Sequence, residues 1–143
     1  MTQIIPSLAA ISEQYEALFV DLWGCVHNGI TALPEAVAAL QSYRAHGGTV
    51  VLVTNSPRPR VGVEAQLKHF GVPDDAWDSI ATSGDSARAA MFQSVVGKRV
   101  YFIGLPHDLP FFDPIHVVSN PVEITRVALD EAEGIACTGP FDG

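Results

Sequence analysis

The chain has 143 residues, 48% of them apolar and 17% charged, a mix that excludes intrinsic disorder and is long enough to bury a real core. Sixteen acidic against eight basic residues give a formal net charge of −8, which argues against nucleic acid or an anionic membrane as the main partner, though not against a small anionic substrate at a locally positive site. No apolar run reaches the ~18 residues of a membrane helix, residues 1–12 lack the basic start of a signal peptide, and two cysteines, Cys25 and Cys137, are too few for a disulfide framework or a zinc site, so a reducing cytoplasm is the expected setting.

Strand-like and helix-like segments alternate along the chain. Ser7 is placed to cap a short helix through about Tyr15, with Leu8, Ile11 and Tyr15 on one face. Residues 17–22 (ALFVDL) form a short apolar run ending in an acid, which reads as a buried parallel strand. Pro34 opens a helix and Gly47 closes it, with Val37, Leu40, Tyr43 and Arg44 at helical spacing. Residues 49–53 (TVVLV) read as a second buried strand. A helix follows over 58–70, then a short strand over 79–82, a helix over 84–95 and a strand over 99–103. A Pro-rich loop spans 106–114, and residues 116–118 and 135–137 are brief strand candidates. Such alternation implies right-handed βαβ units and a parallel sheet flanked by helices, with ligands at the carboxyl ends of the strands.

The residues after the first two strands carry the chemistry. The first strand runs into Asp21, Leu22, Trp23, Gly24, Cys25, Val26, His27, Asn28 and Gly29. A buried strand that ends in a carboxylate needs a reason, because an unpaired buried charge is expensive. A metal or a phosphoryl-transfer role would supply one. Gly24 and Gly29 permit sharp turns close to a ligand. The second strand ends in Thr54, Asn55 and Ser56, whose hydroxyl, amide and N–H donors precede a helix N-terminus and suit an anion. Arg58 and Arg60 add positive charge nearby. Each feature alone has a plainer reading: a carboxylate that only caps a loop, and Thr-Asn-Ser as turn chemistry. Together, at the ends of two neighbouring strands, they point to a site.

The stretches FVDLWGCVHNG, VVLVTNSPRPR, SIATSGDSARA and KRVYFIG resemble the haloacid dehalogenase superfamily, and within it subfamily IIA, the sugar-phosphate and nitrophenyl-phosphatase-like branch. The resemblance implies a Rossmann-like α/β core and makes Asp21 the nucleophile that takes the phosphoryl group. It implies that Asp21 and the backbone carbonyl of Trp23 hold Mg²⁺, and that Thr54 and Asn55, with Ser56 and Gly24, hold the phosphoryl oxygens. A carboxylate attacking phosphorus splits one hard step into two, Mg²⁺ offsets the repulsion with an anionic ester, and the donors stabilise charge on the equatorial oxygens.

The sequence departs from the family in two ways. Phosphatases of the superfamily usually carry a second Asp where Trp23 stands, to protonate the leaving oxygen, and indole cannot exchange a proton at working pH. His27 is the substitute to weigh, against the plainer reading of a loop histidine without a role. The later lysine and acidic cluster of the family are also missing: Lys68 and Lys98 are misplaced, and Asp85 reads better as a helix N-cap. Trp77 reads as a packing anchor and Cys25 as packing. The expectation is therefore that residues 1–143 form the N-terminal part of a core domain without cap or C-terminal part, inactive alone, belonging to a hydrolase of a small phosphorylated metabolite. A homo-oligomer stays open. The alternative is a non-catalytic domain of the same fold that binds an anion or a protein partner.

Overall fold

The computed structural model describes residues 4–116 and 118–139. The chain divides into two compact units, one made of Met1–Thr54 with Gly62–Ala81, the other of Asn55–Val61 with Thr82–Gly143. The strands fall in two three-stranded sheets rather than one.

In the first unit the strands β1 (Ala17–Asp21), β2 (Thr49–Thr54) and β3 (Ser79–Thr82) lie in that order. β1 and β2 pair in parallel, with Leu18 beside Val50 and Asp21 beside Val53. Their β-branched side chains suit a pleated, packed surface. Helix α1 (Pro34–Ala45) starts with proline at its first position, carries Glu35 in its first turn and Arg44 in its last, and buries Val37, Leu40 and Tyr43. Those charges match the helix dipole. Helix α2 (Arg60–Phe70) buries Val63 and Leu67, and both helices face Val50, Leu52 and Ile80 in one core. Trp77 packs half-buried against this core, its indole N–H buried without a partner among the described residues. Arg44 pairs with Asp78 at 2.6 Å, and the second Asp78 oxygen accepts the Val50 N–H at 2.7 Å. These two bonds hold the Asp78 carboxyl below the usual carboxylate range.

Only one face of this sheet is covered. Val50 and Leu52 have no exposed surface, whereas Phe19 is 78% exposed and Val53 40%. Residues in register share a face, so Phe19, Asp21 and Val53 lie together on the open side. The sequence reading of β1 as a buried strand is thus corrected: an apolar run looks the same whether one face or both are covered. The expected helix over residues 7–15 is instead two short 3₁₀ turns, Leu8–Ala10 and Ser12–Gln14, and Ser7 makes no side-chain cap.

In the second unit α3 (Ser83–Phe92) precedes a sheet of β4 (Arg99–Ile103), flanked in parallel by β5 (Thr125–Arg126) and β6 (Gly134–Cys137). Met91, Phe92, Val100, Phe111, Ile115, Val118 and Ala136 form its core. Thr82, not Asp85, is the N-cap of α3: its hydroxyl accepts the Asp85 N–H at 2.9 Å. The buried Arg88 guanidinium donates to the carbonyls of Phe111 at 2.9 Å and Asp113 at 2.7 Å and pairs with Asp85 at 2.9 Å. That staple fixes the Pro-rich segment, a 3₁₀ helix over Pro106–Phe112, onto α3. The strand expected at 116–118 is absent at His116 and Val118, which are bends, and Val117 lies outside the described residues. The third strand is Thr125–Arg126, two polar residues without an apolar signal.

Candidate active site

Asp21 closes β1 and Thr54 closes β2. The register that sets Asp21 beside Val53 places Thr54 one residue further along the adjacent strand. Both stand at the carboxyl end of parallel strands, where sheets of this kind bind ligands. Past Asp21 the chain bends at Leu22 and turns back, so that Trp23 forms an isolated bridge with His27. Asp21 is exposed, Leu22 buried and Trp23 exposed.

The loop after β1 is built from short-range bonds. The Leu22 carbonyl accepts the N–H groups of Cys25, Val26 and His27 at 3.3, 2.9 and 3.2 Å. Gly24 completes the turn with φ +76°, and its N–H donates to the His27 carbonyl at 2.8 Å; a side chain there would strain the backbone. Asn28 Oδ1 accepts the N–H of Ile30 at 3.0 Å and of Thr31 at 2.9 Å, an Asx turn. Further on, the Ala32 N–H donates to the Phe70 carbonyl at 2.8 Å and ties the loop to the end of α2.

His27 is the hub of this loop. It is 4% exposed, its ring centroid lies 4.8 Å from that of Phe70, and Trp23 meets it edge-on at 5.9 Å. Its Nδ1 accepts the Gly29 N–H at 3.0 Å, which assigns the proton of the neutral ring to Nε2. Burial pushes its pKa below the ordinary 6.5, against the smaller opposing pull of the Asp21 charge. The Trp23 indole is 69% exposed yet seated: a Cβ built on Gly29 would collide with its Cη2 and Cζ3. Cys25, expected as packing, is exposed.

Asn55, Ser56 and Arg58 belong to the second unit, and there they shape a turn. The Ser83 hydroxyl lies 2.9 Å from the carbonyls of both Asn55 and Ser56, and Ser56 Oγ accepts the Arg58 N–H at 3.2 Å. At the start of α2 the Arg60 N–H donates to Asp85 Oδ2 at 2.9 Å. The helix N-terminus that the sequence offers to a ligand anion is therefore met, at this N–H, by the chain's own carboxylate. The single unit gathers Asp21, Trp23, Gly24, His27 and Thr54. Sequence reasoning missed the parts of Phe70 and Gly29 in holding His27 and Trp23; the Asn28-Gly29 pair, a turn signal, was their only trace.

Among the described residues no three His, Cys, Asp or Glu side chains cluster as a metal cage. Asp21 and the Trp23 carbonyl offer hard oxygen donors, and Mg²⁺ commonly takes one or two carboxylates with water and substrate oxygens completing its shell. The donor chemistry fits that ion. No helix among the described residues is long and apolar enough to cross a membrane.

A strand-end carboxylate with a hydroxyl at the end of the next parallel strand is an arrangement of the Rossmann-like α/β class of fold. The family profile of haloacid dehalogenase-like hydrolases matches residues 18–116, and the chain belongs to that family. A hydrolase of the haloacid dehalogenase-like family from Brucella suis 1330 is 42% identical, with a TM-score of 0.84 over 97% of this chain and 50% of its own. The glycerol phosphate phosphatase of Mycobacterium tuberculosis, solved in complex with calcium, shares the fold at 23% identity and a TM-score of 0.59, over 87% of this chain and 34% of its own. The chain thus spans about half the length of the Brucella hydrolase. No curated protein is a significant match.

Proposed function

We propose that the protein is a Mg²⁺-dependent, phosphatase-type hydrolase of subfamily IIA that acts on a small phosphorylated metabolite in the cytoplasm, with residues 1–143 as the N-terminal part of its core domain. The placement of Asp21 and Thr54 at the same end of two adjacent parallel strands carries this reading. An Asp21 carboxylate oxygen attacks phosphorus, the ester P–O bond breaks, and the leaving oxygen departs with the bonding electrons. Water then attacks the acyl phosphate, releasing inorganic phosphate and a proton and restoring the carboxylate. The Thr54 hydroxyl donates to the charge that gathers on the phosphoryl oxygens. Gly24 gives the backbone room to approach the phosphate. Asp21 and the Trp23 carbonyl would hold Mg²⁺, which supplies charge neutralisation at the phosphoryl group.

His27 is not the acid–base group in this reading. Its Nδ1 accepts the Gly29 N–H, and burial lowers its pKa from the ordinary value, so the ring serves the loop rather than the leaving oxygen. Neither Lys68, in the last turn of α2, nor Lys98, ahead of β4, stands where the family carries its phosphate-bridging lysine, so turnover by these 143 residues alone is expected to be slow. The test is hydrolysis of phenyl phosphate with and without Mg²⁺. Asp21→Asn is expected to lower turnover by about 10³-fold or more, and Thr54→Ala by about 10²-fold. Unchanged turnover in Asp21→Asn contradicts the reading. Trp23 in place of an acid favours a second reading, a non-catalytic domain that binds a phosphate-bearing ligand at Asp21 and Thr54. Phosphonate binding without any Asp21-dependent turnover would select it.

A further inference from the structure

We infer that Ser83 is a positioning residue for phosphate binding: its hydroxyl, in the first turn of α3, anchors the turn that follows Thr54 and so holds the backbone from which Thr54 donates to a phosphoryl oxygen. The inference rests on the proposed role of Thr54 and deepens it by naming a second residue on which that role depends.

The anchor is a set of contacts from three consecutive residues. The Ser83 Oγ stands 2.9 Å from the Asn55 carbonyl and 2.9 Å from that of Ser56. A hydroxyl carries one proton, so the two carbonyls share it. Successive carbonyls of an extended strand point opposite ways, and two that converge on one hydroxyl mark the turn out of β2. The Gly84 N–H donates to the Ser56 carbonyl at 3.1 Å, and a Cβ on Gly84 would collide with the carbonyl oxygens of Pro57 and Arg58. Asp85 Oδ2 accepts the Arg60 N–H at 2.9 Å. Residues 55–60 therefore lie along the start of α3, all within the second unit. Thr54 is the residue immediately before them.

Two features single out Ser83 within that anchor. The first is the stiffness of the turn. Pro57 and Pro59 fix their own φ and disfavour the helical region for Ser56 and Arg58, and Ser56 Oγ accepts the Arg58 N–H at 3.2 Å. A stiff segment takes its direction from what it is tied to. Its first two carbonyls, those nearest Thr54, are tied to the Ser83 hydroxyl, and each held carbonyl fixes its whole planar peptide group. The second feature is that α3 starts without this hydroxyl. Thr82 is the N-cap, its own hydroxyl accepting the Asp85 N–H at 2.9 Å, and Ser83 is exposed. Alanine is a good helix former, so Ser83→Ala loosens the turn and leaves the helix in place. A misplacement of about 1 Å in a group that holds a ligand can cost about 10²-fold.

Methylphosphonate binding to the 143-residue chain in Mg²⁺ buffer, with urea unfolding midpoints alongside, tests this. Ser83→Ala is expected to bind about 10-fold more weakly while unfolding at the same midpoint as Ser86→Ala. Ser86 is the control: its hydroxyl, on the same helix, donates to the Thr82 carbonyl at 3.1 Å, and Ser86→Ala is expected to bind as the unmodified chain does. Ser83→Thr keeps the hydroxyl and is expected to restore the affinity. Ser83→Ala combined with Thr54→Ala is expected to bind no more weakly than Thr54→Ala alone, because the anchor acts through Thr54. Undiminished binding in Ser83→Ala, an equal loss in Ser86→Ala, a loss that Ser83→Thr does not restore, or losses that add in the double variant overturn the positioning role and leave that of Thr54 standing. Full affinity in Thr54→Ala, or no binding by the unmodified chain, overturns the role of Thr54 and the inference with it.

Discussion

Gly29 donates its backbone N–H to Nδ1 of His27 at 3.0 Å, and this one bond decides where the imidazole proton sits. With Nδ1 as acceptor, the neutral ring keeps its proton on Nε2. The histidine nearest the strand-end carboxylate in sequence thus becomes a structural hub for the loop that carries Trp23.

The bond has a consequence for stability against pH. Burial holds the folded-state pKa of His27 below 6.5. On acidification the unfolded chain takes up the proton first, so the stability His27 contributes is full above about pH 6.5. It is lost as pH falls from there towards the lower folded value. His27→Phe is expected to cost about 1–3 kcal/mol at pH 7.5, because the Gly29 N–H loses its acceptor. It is also expected to flatten the decline between pH 6.5 and 5. Urea unfolding of both proteins at pH 7.5 and 5.5 checks this, and an equally steep decline in the variant would sink the assignment.

The two faces of the first sheet should respond differently to truncation. Leu52 is fully buried and Phe19 is 78% exposed. Leu52→Ala is expected to destabilise by about 2–5 kcal/mol through the cavity it leaves. Phe19→Ser is expected to stay within about 0.5 kcal/mol. Comparable losses at both positions, measured by denaturant unfolding, would mean that the Phe19 face is covered in solution.

The second unit depends on one buried cation. Arg88 ties α3 to the carbonyls of Phe111 and Asp113 and to Asp85. Arg88→Met is expected to cost about 3 kcal/mol, the low end for a broken buried pair because Asp85 keeps some solvent contact. Amide exchange should rise over residues 106–114 in particular. Uniform protection in the variant would show that the loop is held by other means.

Gly29→Ala combines a left-handed backbone, φ +88°, with a collision against the Trp23 ring. The variant is expected to lose about 1–2 kcal/mol and the near-ultraviolet circular dichroism of a seated indole. An unchanged spectrum would show that Trp23 does not rest on Gly29.

Much of this architecture is readable in the sequence because its signals are local. Pro34 and Gly47 bracket α1, the run TVVLV is β2, and the site residues follow directly from strand ends. What the sequence hides depends on distant partners. β1 reads as buried because apolar residues alternate without polar ones, yet whether Phe19 is covered depends on which elements pack over it. Thr125 and Arg126 form a strand through backbone pairing with β4, to which their side chains contribute no pattern. The helix expected after Ser7 fails because the segment is too short to nucleate without packing. His27 is visible as a titratable residue, but its tautomer is set by a backbone N–H and its burial by Phe70, 43 positions away in the chain.

The central claim is that Asp21 is the group that bonds to phosphorus. Beryllofluoride mimics a phosphoryl group on a carboxylate, so ¹⁹F spectra of the chain with beryllofluoride and Mg²⁺ address it directly. A bound fluoride signal is expected for the unmodified chain and its loss in Asp21→Asn. The same bound signal in Asp21→Asn, or none in the unmodified chain, would contradict the assignment.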